Sequence, residues 1–95
     1  MSRYRISARV VGGAFVTVTG RDADTLEKLM AAGERGLTPI EYPAPRWSHY
    51  VFKLRRAGFN IETIDEPHGG QFAGTHARYI LRSQVEIESD ERRAA

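Results

Sequence analysis

Apolar residues recur along this chain at two different spacings, and the spacing switches several times. Between Arg3 and Val10, Tyr4, Ile6, Ala8 and Val10 alternate with Arg3, Arg5, Ser7 and Arg9. A period of two puts successive side chains on opposite faces, so this stretch predicts a half-buried strand. Gly12-Gly13 signals a turn and Phe15–Thr19 is rich in β-formers. Together these predict an N-terminal hairpin over residues 1–20, broken by Gly20. Leu26, Leu29 and Met30 then fall at three- and four-residue steps, which predicts a short helix over Thr25–Ala32, closed by Gly33. Asp22 or Asp24 is expected to cap it, with Glu27 three residues after Asp24. Thr38-Pro39 reads as the cap and first residue of a second helix of about one to two turns, with Glu41 as its capping partner. The Pro43-Ala44-Pro45 corner stops that helix.

The next helical pattern is longer and runs from Pro45 to Gly58. Trp47, Tyr50, Val51 and Leu54 share one face, and Arg46, His49, Lys53 and Arg56 share the other. No acidic residue occurs between Tyr42 and Ile61. A short helix, a tight turn and a longer basic helix, in that order, are the parts of a helix-turn-helix unit. Asn60–Glu66 reads as a strand, Pro67–Gly74 as a loop with three glycines, and Thr75–Arg82 as a returning strand. Two strands so joined, directly after such a helix, describe a wing. The expected fold is therefore α+β: a winged helix-turn-helix with an N-terminal hairpin, three short helices and a C-terminal two-stranded wing. One domain would span residues 1–87, with the helical core at 22–58 and the wing at 60–83. Residues 88–95 have little to bury and read as a flexible tail.

Composition narrows the setting. A chain of 95 residues supports one domain, and 41% hydrophobic content with four Phe, four Tyr and one Trp supports a modest core. The absence of cysteine excludes disulfides and thiolate metal sites, and fits a reducing cytoplasm. No apolar run approaches the roughly 20 residues of a membrane span, and the N-terminus lacks the apolar segment of a signal peptide. The net charge of +2 matters less than its placement. Residues 1–21 and 42–61 each carry +4, whereas residues 22–41 and 62–95 each carry −3. Segregation of this kind suits a localised phosphate-binding face.

The candidate chemistry follows from that face. Guanine presents paired acceptors in the major groove, so long donors early in a recognition helix are placed to read it. Arg46, Ser48 and His49 are expected at base edges, and Lys53 and Arg56 at phosphates. In the wing, His68, Gln71, Thr75 and Arg78 offer donors to a DNA backbone or minor groove. Trp47 is in phase with Val51 and Leu54 and is expected to pack with Leu29, Leu54 and Tyr79. Phe52 lies off that face and is expected to cover the wing. Glu66, His68 and His76 are ligand types for zinc and candidates for general acid–base work. A glycine-rich wing fixes such geometry poorly, and no spaced ligand motif or carboxylate pair accompanies them. No metal, cofactor or catalytic residue is therefore expected. Gly69-Gly70 and Gly74 do not match a nucleotide-binding loop and read as turn residues.

Several runs carry a family likeness: Arg46–Gly58, Ile61-Glu62-Thr63, Glu66–Gly70, Gly74–Tyr79 and Leu81-Arg82-Ser83. With them the chain resembles small winged-helix (helix-turn-helix) domain proteins of bacteria and of their phages and prophages. The likeness covers roughly residues 15–83, leaving residues 1–14 as an individual addition. It implies double-stranded DNA binding, and with it a small, non-enzymatic transcriptional regulator. One recognition helix spans few base pairs, so a homodimer or a protein partner is expected, with the N-terminal hairpin supplying an edge strand for pairing. The alternative is a protein-interaction module, such as a phage-type inhibitor or adaptor, that uses the same surface.

Overall fold

The computed structural model describes residues 4–40, 46–70 and 74–91, with side chains described as far as Glu88. Its elements run β1 (Arg5–Val10), β2 (Val16–Thr19), α1 (Gly20–Ala32), a single 3-10 turn (Gly33–Arg35), α2 (Trp47–Arg56), β3 (Ile61–His68), β4 (Gly74–Leu81) and β5 (Val85–Glu91). They form two antiparallel sheets, one ordered β2-β1-β5 and one made of β3 and β4. The α+β winged-helix architecture is as expected. Three of its details differ.

The first difference is the segment expected to be the second helix. Thr38 is not helical, and Pro39-Ile40 form a turn; the rest of that segment, including Glu41, Pro43 and Pro45, lies outside the described residues. The physical reason sits one residue earlier. Leu37 exchanges both backbone hydrogen bonds with Tyr79 at 2.9 Å, which holds the chain extended where a helix would have to begin. Gly36 permits that approach. Its φ is +75°, and a Cβ there would stand 2.8 Å from both Ile80 Cγ1 and the Tyr79 carbonyl oxygen. The three expected helices are thus two α-helices and a 3-10 turn among the described residues.

The second difference is the start of α1. Neither Asp22 nor Asp24 caps it: the cap is Thr19, with no side-chain bond. The helix begins directly at the end of β2, and Gly20 makes the corner with φ +58°. The Gly20 N–H is satisfied by the Tyr4 carbonyl at 2.7 Å, so a neighbouring strand does what a capping side chain would have done. Asp24 instead pairs with Lys28 one turn on. The far end closes on Gly33, as its position in the sequence predicts.

The third difference is β5. Residues 88–91, expected to be part of a flexible tail, continue a strand that pairs with β1 from Arg5↔Glu91 to Val10↔Val85. The register shifts between Ser7 and Ala8, where an extra residue of β5 makes a bulge. Arg9 meets Glu86 at 2.7 Å and Ser7 meets Glu88 at 3.1 Å. The expected hairpin is present, with β1 and β2 paired from Arg5↔Thr19 to Ala8↔Val16. However, β1 is the central strand, and the outer strands of its sheet are β2 and β5.

One core joins the layers. Ile6, Ala8 and Val18 from the three-stranded sheet meet Ala23, Leu26 and Leu29 from α1 and Trp47, Val51 and Leu54 from α2. Leu37, Phe59, Ile61 and Tyr79 close it on the wing side. All of these are buried, so the inner face of α2 is anchored and its outer face is held outward.

Candidate nucleic-acid interface

The anchoring of α2 decides which of its side chains can meet a ligand. Trp47, Val51 and Leu54 are buried and Tyr50 is partly buried, so one stripe faces inward as its spacing predicts. Trp47 and Tyr50 meet edge to face with ring centroids 6.5 Å apart. At 3.6 residues per turn, the side chains opposite Leu54 are His49, Phe52 and Arg56, with Arg46 and Ser48 at the entrance to the helix. Arg46, Ser48, Phe52 and Arg56 are exposed and His49 is half-buried beside Tyr50. Arg46 takes a left-handed conformation, φ +68° and ψ +30°, immediately before the first helical residue. For a residue with a Cβ this conformation is strained, and it falls at a position expected to meet bases.

Two basic residues of α2 are turned to its flanks. Lys53 pairs with Asp22 of α1 at 2.8 Å. The Asp22 carboxylate is mostly buried, and its second oxygen has no hydrogen-bond partner among the described residues. Arg55, which the spacing of the basic face left unassigned, donates from Nε to the Ile61 carbonyl at 3.0 Å and from Nη2 to the Thr63 hydroxyl at 2.7 Å. It therefore ties α2 to the first residues of the wing. Gly58, with φ +111°, makes the turn between them.

The wing spends two of its four expected donors, His68 and Arg78, internally. The pairing Glu66↔His76 puts those side chains on one face of the hairpin, with His68 at its tip. Arg78 donates from Nε to Glu66 at 2.6 Å and from Nη1 to the Arg35 carbonyl at 2.6 Å. His76 Nε2 lies 3.2 Å from the other Glu66 oxygen, and His76 Nδ1 lies 3.0 Å from His68 Nδ1, the two rings stacked 5.1 Å apart. The Arg78 guanidinium beside Glu66 holds that carboxyl below its ordinary pKa, with His76 adding to the effect against a smaller cost of desolvation. Both nitrogens of His76 are occupied. Among the described residues no group of three or more His, Cys, Asp or Glu side chains could hold a metal ion. Thr75 is exposed, and Gln71 lies outside the described residues.

Sequence reasoning misplaced Phe52. Among the described residues it is not packed down: it stands 54% exposed on the outer face of α2, with the Arg56 guanidinium 5.8 Å from its ring centre. The signal was available, since its phase lies opposite Leu54, but an apolar residue on a polar face is read most easily as a packing residue.

A short helical body, a solvent-facing helix and a following two-stranded hairpin define a class of protein built to present one helix. The family model for the winged helix domain matches residues 15–91, and the chain belongs to that family. Membership suggests DNA binding in general. No curated protein and no solved structure matched the chain. No described helix is long and apolar enough to cross a membrane.

Proposed function

We propose that the chain binds double-stranded DNA with the outer face of α2 in the major groove, and that it acts as a small cytoplasmic transcriptional regulator without enzymatic activity. The supporting observation is the outer face itself: Arg46, Ser48, His49 and Arg56 are presented there, no acidic residue lies between Tyr42 and Ile61, and a buried stripe holds the helix from behind. Arg46 and Ser48 stand where base edges are read, and Arg56 and Lys53 stand nearer phosphates. On the wing Thr75 is exposed and could meet a backbone, while Arg78 braces the hairpin from within. Homodimerisation extends the site to two half-sites, and the outer strands β2 and β5 are the edges through which it would pair.

The test is gel retardation of duplex DNA at about 50 mM salt, where phosphate contacts are strong. Arg46→Ala combined with Arg56→Ala is expected to weaken retardation roughly a hundredfold, with the circular dichroism spectrum unchanged. If the wild-type chain retards no duplex under these conditions, the DNA reading falls and the interaction-module reading takes its place.

A further inference from the structure

Phe52 is the one large apolar side chain exposed on α2. Val11, Phe15, Ile40, Ile64 and Ile87 are also exposed, but they lie on the hairpin, the turn before residue 41, the wing and β5. Phe15 is covered by Arg9, whose guanidinium lies 4.9 Å from its ring centre. Exposing a phenyl ring to water is unfavourable, and nothing in the packing of α2 requires a ring at this position. It stands at the outermost line of the helix, between His49 one turn before and Arg56 one turn after. Lys53 and Arg55, the next basic residues toward the C-terminus, are held to the flanks by Asp22 and by β3. The line of the helix opposite its buried stripe therefore carries Phe52 and Arg56, both exposed, and the half-buried His49.

The floor of the major groove consists of hydrogen-bond donors, hydrogen-bond acceptors and one apolar group, the methyl on C5 of thymine. A phenyl side chain offers neither a conventional donor nor an acceptor. Against adenine, guanine or cytosine edges it would cover polar atoms without replacing their hydrogen bonds to water, which is unfavourable. Against the methyl it buries apolar surface on both sides. Arg56 stacked on the ring limits where the ring can swing and keeps a cation next to it for a phosphate or a guanine.

We propose that Phe52 is a further specificity-determining residue of the interface and reads the C5-methyl group of a pyrimidine in the major groove. This rests on the reading of α2 as the DNA-facing helix. The same methyl occurs on thymine and on 5-methylcytosine, and the experiment separates the two sources.

Duplexes enriched by the full chain from a random library, with and without prior cytosine methylation, are compared one position at a time. Each thymine is replaced by uracil, which removes the methyl and leaves the pairing edge intact. Each enriched methylcytosine is replaced by cytosine in the same way. One position per bound chain is expected to lose about fourfold in affinity when its methyl is removed, corresponding to about 0.8 kcal/mol for one buried carbon. Enrichment of thymine from the unmethylated library assigns thymine as the natural source. Enrichment confined to the methylated library assigns methylcytosine. Phe52→Ala is expected to bind the methyl-bearing duplex as weakly as the wild type binds its methyl-free counterpart, and Phe52→Leu is expected to keep the discrimination. Wild-type binding that is indifferent to the methyl at every position, or discrimination that survives in Phe52→Ala, overturns the assignment while leaving DNA binding intact. Failure to retain any duplex overturns both.

Discussion

The outer face of α2 and the two-stranded wing are neighbours on one molecule, yet they hold their charge in opposite ways. Among the described residues Arg46 and Arg56 of α2 have no acidic partner, and the carboxylate that reaches the helix is Asp22, at its flank. On the wing, Glu62, Asp65 and Glu66 share one hairpin, and the cations near them are already paired, Arg78 with Glu66 and Arg82 with Glu62. A polyanion approaching the molecule would find the helix attractive and the wing close to neutral or repellent. Adjacent strands and helices of one basic protein therefore need not belong to one basic surface. Here the wing's internal pairs stiffen the hairpin against the helical body through Arg78 and the Arg35 carbonyl.

The largest effect that would break this division is at the seat of the wing. Gly36→Ala forces a Cβ to within 2.8 Å of the Tyr79 carbonyl at a φ of +75°, and denaturant unfolding should register a loss of about 3 kcal/mol. Gly70→Ala, at the wing tip with φ +104° but nothing within 4 Å, should lose only about 1 kcal/mol. Equal losses would mean that the wing is not docked through Gly36 and Leu37.

A smaller effect concerns the flank of α2. Asp22→Asn removes the carboxylate that holds Lys53 and releases that ammonium toward the ligand. DNA affinity at low salt should rise about two- to fivefold, and the salt dependence should steepen by about 0.9 for one added phosphate contact. An unchanged slope in a salt titration would assign Lys53 to the fold alone.

The smallest effect is the wing's own titration. Glu66 is held below the ordinary carboxylate value of 4.5, so as pH falls the unfolded chain takes up this proton before the folded one. The stabilisation is complete above the unfolded value and disappears as pH drops through the folded value. Thermal melts should therefore place the wild type above Glu66→Gln at neutral pH, with a fall in Tm below about pH 4.5 that is steeper in the wild type and brings the two proteins together. DNA binding at neutral pH should be nearly the same in both, in contrast to substitutions on α2.

Much of this was legible in the sequence because it depended on local periodicity. The alternation of Tyr4–Val10, the stripe of Trp47, Val51 and Leu54, and the glycine-bounded strands of the wing each declare themselves within a dozen residues. What escaped depended on distant partners. Thr38-Pro39 carries a helix-start signal, but Tyr79, some 40 residues on, claims the backbone of Leu37 first. Val85-Glu86-Ile87-Glu88 alternates as a strand should, yet so short a run beside a charged segment gains a partner only when β1 is in place. The division of the basic face was hidden for the same reason. Spacing groups Lys53 with Arg56, and only the position of α1 shows that Lys53 already has a carboxylate.

The pairing of β1 with β5 has a kinetic side. The Ser7 hydroxyl and Glu88 meet across 81 positions of sequence, so both helices and the wing are strung inside a single loop that this ladder closes. Bringing such distant segments together is entropically costly and slow, whereas the β3–β4 hairpin needs only a short turn and can zip on a microsecond scale of about 1–10 μs. The chain should thus assemble its presenting helix and wing from near neighbours first and fasten the three-stranded sheet afterwards, as a clasp that commits everything between its two halves.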